Sequence, residues 1–474
     1  MYDVLIIGGG IVGAMAAREL AKYQLKILLL EKNAEIGMGV TKANSGIVHA
    51  GYDCKPQTFK AKLNVRGNAM YPELATDLGF MFKQNGSLVL AFLATDLPRL
   101  EALKQQGIEN GVSNLKILFK DEILAMEPHI NPEVYAALYA PSAGLVFGPE
   151  VAQAAALNAH GNGAQFEFET EVLAISKKSD YYRVATNQTT YDTKVIINAA
   201  GLNSDVINNF INTQKYEITP RKGEYYLLDR AAGDIVKQTI FQLPSAKGKG
   251  VLILPTVHGN VLVGPSAEFV GDKTDVSTNA ATLKYLQTSV RKSVPTAPLS
   301  MTSTTFAGLR AKAKAHDDFI IKESMPGFIN AVGIDSPGLT AAPAIGEYIA
   351  KLVANYLAPA VNETFVKTQL TMPLFQTLSI TKQNQLIKQN PAYGRIVCRC
   401  EQITEGDVIN AIRSPLGAKT LDGIKFKSLA GTGRCQGGFC APKLIEILAK
   451  AHEIKANQVT KRGGNSYILA NPEV

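Results

Sequence analysis

Four of the five cysteines stand in two short stretches near the end of the chain. Cys398 and Cys400 lie in "GRIVCRCEQIT", and Cys435 and Cys440 in "GTGRCQGGFCAPK". A tight C-x-C and C-x4-C set in a chain otherwise nearly free of sulfur ligands reads as metal binding or redox chemistry rather than as a disulfide scaffold. Structural zinc usually takes C-x2-C knuckles, so the spacing favours an iron-sulfur cluster, with zinc as the second reading. The glycines of "GTGRCQGGFC" would expose backbone N–H groups to cluster sulfur. Cys54, in "GYDCKPQ", has no thiol near it in sequence and reads as a free cysteine.

A second chemistry lies at the other end. In "YDVLIIGGGIVGAMAARELAKYQLKILLLEKN", Gly8, Gly10 and Gly13 fit G-x-G-x-x-G between an apolar strand and an amphipathic helix, and Glu31 closes a second strand. The first glycine allows a tight turn, the second lets backbone approach a diphosphate, and the third lets helix pack on strand. The diphosphate would sit on the helix N-terminus, and Glu31 is placed to take a ribose hydroxyl. Nothing in this unit separates FAD from NAD.

Oxidation of an alcohol or amine needs a C–H held over the oxidant, a group to take the O–H or N–H proton, and an anchor for the rest of the substrate. Arg310, in "FAGLRAKAK", is the anchor candidate, because a guanidinium binds carboxylate or phosphate through two parallel hydrogen bonds. Six histidines could serve as base. His49 in "NSGIVHAGYD" and His258 in "LPTVHGNVL" are the candidates, while His129, His160, His316 and His452 lie in polar or helical contexts and read as structural or exposed.

These groups need a scaffold, and 474 residues suffice for two or three domains. With 46% hydrophobic and 19% charged residues, composition excludes a disordered or fibrous chain. The excess of 49 Lys and Arg over 41 Asp and Glu suits an anionic substrate, an acidic partner or a membrane surface, although on charge alone a solvated basic surface explains it better than any of these. No basic stripe with interleaved aromatics points to nucleic acid. The strand-like run after Met1 resembles no signal peptide, and no apolar run has membrane-span length, so a cytoplasmic location is expected, with peripheral attachment to a membrane as a variant. Further on, "FEFETEVLAISKKSDYYRVATN" alternates as antiparallel strands, with Val172 inside the first, and "DTKVIINAAGLNSDVI" is an apolar strand. "GFINAVGIDSPGLTAAPAIGEYIAKLVANYL" reads as strand, turn and a long helix from about Leu339. "TMPLFQTLSITKQNQLIKQNPAYGR" reads as a polar, extended linker. In the tail, Thr404 with Glu405 and Asp407 marks a capped helix start, and "APKLIEILAKAHEI" a second helix.

In family order, "IIGGGIVGAMAARELA", "LLLEKN", "TKANSGIVHAGYD", "VIINAAGLNSD", "GEYYLLD", "TVHGNVLVGPSAE", "GLRA" and "GIDSPGLTAAPAIGEYIA" resemble the FAD-dependent oxidoreductases of the glycerol-3-phosphate dehydrogenase and D-amino-acid oxidase superfamily. The resemblance implies an α/β fold, with a Rossmann-like FAD-binding domain and an inserted mixed-sheet substrate domain. It implies that Gly8, Gly10, Gly13, Glu31 and Lys32 hold the ADP half of FAD. Thr41, Asn44 and Ser45 would lie along the diphosphate and flavin, Val172 at the adenine, Gly201 near the diphosphate, and Gly338, Leu339 and Thr340 at the pyrimidine edge of the flavin. His49 and Arg310 match positions near flavin and substrate. The tail resembles the ferredoxin-like domain of bacterioferritin-associated ferredoxin, which implies a small helical domain carrying a 2Fe-2S cluster on Cys398, Cys400, Cys435 and Cys440. The expected oxidoreductase part spans 1–375, with nucleotide segments at about 1–74, 146–214 and 326–375 and substrate segments at about 75–145 and 215–325. A linker at 376–394 and an iron-sulfur domain at 395–474 follow.

The implied activity is a dehydrogenase of a small anionic secondary alcohol, sn-glycerol 3-phosphate going to dihydroxyacetone phosphate, with electrons leaving through the cluster to a redox partner protein or subunit. The run "NSGIVHAG" looks more like the L-2-hydroxyglutarate oxidases, so a 2-hydroxy or amino acid substrate is the alternative. An oxidase with a merely structural tail and a non-catalytic FAD-binding iron-sulfur sensor are the competing classes. Oligomeric state is not legible.

Overall fold

The computed structural model describes residues 1–244, 250–369 and 373–470; the expected domain spans also take in 245–249, 370–372 and 471–474, which lie outside the described residues. "YDVLII" is apolar without a break, as a strand covered on both faces must be, and forms β1 (Tyr2–Ile7). Gly8 turns the chain at φ +108°, a conformation only glycine adopts at no cost, into α1 (Ile11–Leu20). The chain returns as β2 (Ile27–Leu30), parallel to β1 with Val4 beside Ile27 and Ile7 beside Leu30. On the other side of β1 runs Thr190–Asn198, also parallel, and Phe328–Val332 parallels the end of that strand.

Two sequence expectations change in this sheet. Gln165–Glu167 pairs in parallel with β2, not as part of an antiparallel meander. It arrives from the helix Gly148–Gly161, and a strand entered through a helical crossover joins its sheet in parallel. The meander begins one strand later, with Val172 opening Val172–Lys177 against Tyr182–Thr186. Ile320–Met325, inside the stretch assigned to the substrate domain, instead pairs with Phe328–Val332 in the nucleotide sheet.

A second mixed sheet, nine-stranded among the described residues, is organised by β3 (Ile218–Leu228) and β4 (Thr302–Ala313). They pair antiparallel from Ile218 opposite Ala313 to Leu228 opposite Thr302. Ser87–Ala91 and Ala136–Ala140 join the same sheet, so chain from both sides of the second nucleotide segment meets here. α2 (Gly338–Leu357) returns to pack on α1, where Gly346 lies so close that a Cβ would stand 2.9 Å from the Met15 backbone. Among the described residues no helix is long and apolar enough to cross a membrane.

The expected extended linker contains a helix, Ile380–Gln389, started by Ser379, whose side chain accepts from Lys382 N. Lys, Gln and Leu are good helix formers, and a serine cap offsets one unpaired N–H, so a polar segment with little to bury still coils. Beyond it, Thr404 and Asp407 form the expected capping box of Glu405–Arg413. α3 (Leu421–Ser428) and the helix Ala441–His452 complete a small domain with its own core, including Val408, Ile424, Leu444 and Leu448. Buried Glu35 of the nucleotide domain docks it: Oε1 accepts from Lys419 N at 2.7 Å and Thr420 N at 3.2 Å, and Oε2 meets Lys427 Nζ at 3.2 Å. Arg230–Glu401 at 2.5 Å and Arg434–Asp229 at 3.0 Å tie it to the substrate sheet as well.

Candidate active site

One large cavity of about 2250 Å³ runs from the α1 N-terminus to the second sheet. At its nucleotide end the three glycines are needed for two different reasons. A Cβ on Gly8 would stand 2.5 Å from Ala199 O, and one on Gly13 would overlap the Gly8 carbonyl, so both serve close backbone packing. A Cβ on Gly10 would meet only Thr41 Oγ1, at 3.4 Å, and would fill the cavity itself. Gly10 brings no capping side chain to α1, whose first turn holds no acid. Such a cradle fits a dinucleotide diphosphate, for which helix N–H groups and the positive dipole end are the complement. Thr41 Oγ1 accepts from Ile11 N at 3.0 Å and fixes the next wall. Glu31 Oε2 accepts from Gly9 N at 2.7 Å and Oε1 from Asn33 N at 2.8 Å. Burial raises the Glu31 carboxyl above its ordinary range, and these N–H groups oppose the rise. Lys32, Asn44, Ser45, Val172, Gly201, Gly338 and Leu339 all line the same cavity.

Gly13 and Thr340 do not line it. Thr340 is fully buried; its Oγ1 accepts from His49 N at 2.9 Å and donates to Ile47 O at 3.2 Å. Through that hydroxyl Thr340 bridges α2 to the His49 segment, directly behind Gly338 and Leu339 of the cavity wall.

At the substrate end, Arg310 on β4 stands opposite Arg221 on β3. Arg310 Nη2 donates to Ser266 O at 2.7 Å and lies over Gly223, where any Cβ would displace it. Neither arginine has a carboxylate partner among the described ion pairs, and Arg221 Nε is buried without a hydrogen-bond acceptor. Burial lowers the Arg310 value, but a guanidinium stays charged. The Tyr225 ring stacks on Phe306 at 4.8 Å and 9°, and its hydroxyl meets Ser45 Oγ at 3.1 Å. His49 faces this space with its backbone carbonyl held by Asn64 Nδ2 at 3.2 Å and Asn68 Nδ2 at 3.1 Å, and its ring 6.0 Å from Phe241.

His258 lies elsewhere, and its candidacy as base is corrected. It sits in the turn before Val261, which pairs with Leu228, whereas Arg310 pairs with Arg221 seven residues back along β3. At about 3.3 Å per residue this separates them by roughly 23 Å, too far for one small substrate. Its Nε2 is buried without a partner, its ring is edge-on to Phe147 at 5.2 Å, and burial, with Arg230 adding, pulls its value down to about 4.

The four tail thiols meet around a separate cavity of about 200 Å³, with Arg399 and Phe439. Cys400 Sγ lies 3.6 Å from Cys435 Sγ, and Cys440 hydrogen-bonds Cys398. That bond, reinforced by N–H groups including Gly431 N at 3.5 Å, lowers the Cys398 thiol below its ordinary range. Among the described residues no three His, Cys, Asp or Glu side chains converge as a single ion would require. Two thiol pairs, each joining one cysteine of C-x-C to one of C-x4-C, are what two bridged irons need, and the N–H groups aimed at sulfur fit a cluster. The same loop reaches the large cavity: Leu429, Thr432 and Gln436 line it, and Gln436 adjoins Cys435.

Sequence reasoning passed over Arg221, Gly223, Tyr225, Phe241 and Glu35. Strand alternation in "KGEYYLLDR" was visible, yet which face meets the cavity depends on the partner strand.

The comparisons agree with this geometry. Residues 3–352 match the FAD dependent oxidoreductase family, and residues 396–450 the BFD-like [2Fe-2S] binding domain. Over its whole length the chain is 48% identical to a glycerol 3-phosphate dehydrogenase of Caloramator mitchellensis, covering 99% of that protein. The structure of the dithionite-reduced L-alpha-glycerophosphate oxidase of Mycoplasma pneumoniae with FAD bound superposes with a TM-score of 0.75 at 33% identity, over 78% of this chain and 99% of that one. A human mitochondrial L-2-hydroxyglutarate dehydrogenase is 31% identical over 56% of this chain and 61% of its own length.

Proposed function

The chain belongs to the FAD dependent oxidoreductase family, and from that premise we propose that it oxidises sn-glycerol 3-phosphate to dihydroxyacetone phosphate and passes the electrons to a partner protein. The observation that carries the substrate is the pair Arg310 and Arg221, side by side in the β3–β4 register and without carboxylate partners. Two adjacent guanidinium groups complement one phosphate dianion. L-2-Hydroxyglutarate spreads its two charges over two carboxylates and would leave one arginine underused, and its dehydrogenases match less of this chain.

FAD, when bound, accepts two electrons with the substrate hydrogen, and the [2Fe-2S] cluster carries electrons singly. The chain's own residues do the rest. Arg310 and Arg221 hold the phosphate, and the backbone bonds from Thr340, Asn64 and Asn68 fix where His49 stands. An imidazole nitrogen of His49 takes the proton of the secondary hydroxyl, as imidazole can near neutral pH. Phe241, Phe306 and Tyr225 give that space aromatic walls. The cysteine domain supports an acceptor other than oxygen, because an oxidase has no need of a one-electron relay.

The test is an anaerobic titration of the purified holoenzyme. Bleaching of the flavin band by sn-glycerol 3-phosphate, with L-2-hydroxyglutarate inert, is the expected result. The reverse pattern overturns the substrate assignment.

A further inference from the structure

The cavity has a wall that the family's glycine motif does not supply. Thr41 rests on the first turn of α1 through Ile11 N, so Lys42 follows one residue from the diphosphate cradle. Lys42 Nζ lies 5.8 Å from the centre of the Phe426 ring, and Lys425 Nζ 6.0 Å from the same ring. Phe426 and Lys425 belong to α3 of the cysteine domain. Next along the wall, Lys461 Nζ pairs with Asp422 Oδ1 at 2.8 Å, and Arg462 follows it. Gly463 then backs onto the nucleotide domain, where its Cβ would stand 3.0 Å from that of Ala34. Ala34 adjoins Asn33, whose backbone and side chain both hold Glu31. The basic ridge therefore runs from the α1 N-terminus toward the ribose acid, the path that an ADP moiety takes across such a fold.

Its charge is unbalanced. Asp422 is committed to Lys461, and Lys42, Lys425 and Arg462 have no ion-pair partner among the described residues. Burial lowers both lysines below their ordinary range; the Asp422 carboxylate opposes the fall, and the neighbouring cations, Lys461 among them, add to it. All four cations line the large cavity. Lys425 and Arg462 also lie outside residues 3–352, the part that matches the oxidoreductase family.

We propose that the cysteine domain completes the FAD site: Lys425 and Arg462, with Lys42, clamp the cofactor diphosphate, so that bound FAD and the docked domain hold each other in place. This rests on FAD being the cofactor. The clamp acts by charge-assisted hydrogen bonds to phosphate oxygens and involves no bond making or breaking.

The experiment uses deflavinated full-length protein, with FAD and ADP binding measured by fluorescence and calorimetry for the wild type, Lys425→Gln and Arg462→Gln. Each variant is expected to weaken both ligands about tenfold, and the rate of flavin release should rise less steeply with salt than in the wild type. The visible spectrum of the cluster monitors the domain's fold, and Lys382→Gln, on the exposed linker helix, should change nothing. If Lys425→Gln loses the cluster, Arg462→Gln decides alone. Unchanged FAD and ADP affinity with an intact cluster spectrum overturns the clamp. Equal competition by inorganic phosphate at the same concentrations also overturns it, reducing the ridge to a simple anion patch. A wild-type protein that takes up no FAD would instead fail the family reading.

Discussion

The thiol cage draws every cysteine from the stretch between Cys398 and Cys440, whereas the proposed substrate pocket gathers Ser45, His49, Tyr225, Phe241 and Arg310 from across the oxidoreductase part. The cage is positioned by its own loop, by N–H groups such as Gly431 N and by a small private core. The pocket is positioned by the β3–β4 register, where a slip of one residue would turn Arg310 to the other face. A local site of this kind travels with its domain. A dispersed one stands or falls with the whole sheet.

The largest effect expected from this contrast is at the cage. Cys400→Ser should abolish bound iron and sulfide and the cluster's visible absorption, because a two-iron centre needs four thiolates. At saturating FAD the flavin should remain, as measured by flavin content after gel filtration. Retention of full iron would break the assignment of Cys400. Next comes the pocket, where Arg310→Lys should raise KM for the substrate by roughly 10²-fold, about 2–3 kcal/mol, with iron and flavin content unaltered. Lysine cannot hold the Ser266 carbonyl and a phosphate oxygen in the same fork. Unaltered kinetics would remove Arg310 from the site. The smallest effect is expected at His258, which lies between the two regions beside Phe147. His258→Gln should leave kcat/KM within about twofold, since it stands roughly 23 Å from Arg310 along β3. It should, however, alter acid stability. The folded value of about 4 lies below the ordinary 6.5, so the unfolded chain binds the proton first and stability is lost as pH falls from 6.5 toward 4. Thermal melts across that window should be flatter for the variant; an equally steep loss would place the acid sensitivity elsewhere.

The two regions also differ in how far they could be read before any folding. The cage was legible as residues, since few side chains bind iron and their spacing is short. The glycine cradle was legible because its three glycines answer to backbone geometry within one turn. The helix Ile380–Gln389 was missed, since its short apolar face of Ile380, Leu386 and Ile387 is outweighed by polar residues and buries nothing fully, so only the Ser379 cap marks its start. His49 and His258 each stand beside apolar residues in the sequence; the family resemblance favours His49, and strand pairing then sets His258 far from Arg310.

By itself the sequence determined the βαβ unit with Gly8, Gly10, Gly13 and Glu31, the four thiols and the capped helix at Thr404, all features whose physics closes within a few tens of residues. Tertiary structure alone decided that Arg221 joins Arg310, that Thr340 supports His49 from beneath, and that Glu35 seats the cysteine domain. It also decided that Lys425 and Arg462 come to face the nucleotide cavity. Those outcomes depend on register and docking between segments hundreds of residues apart, where a side chain's neighbours are set by which surfaces bury each other and not by its position in the chain.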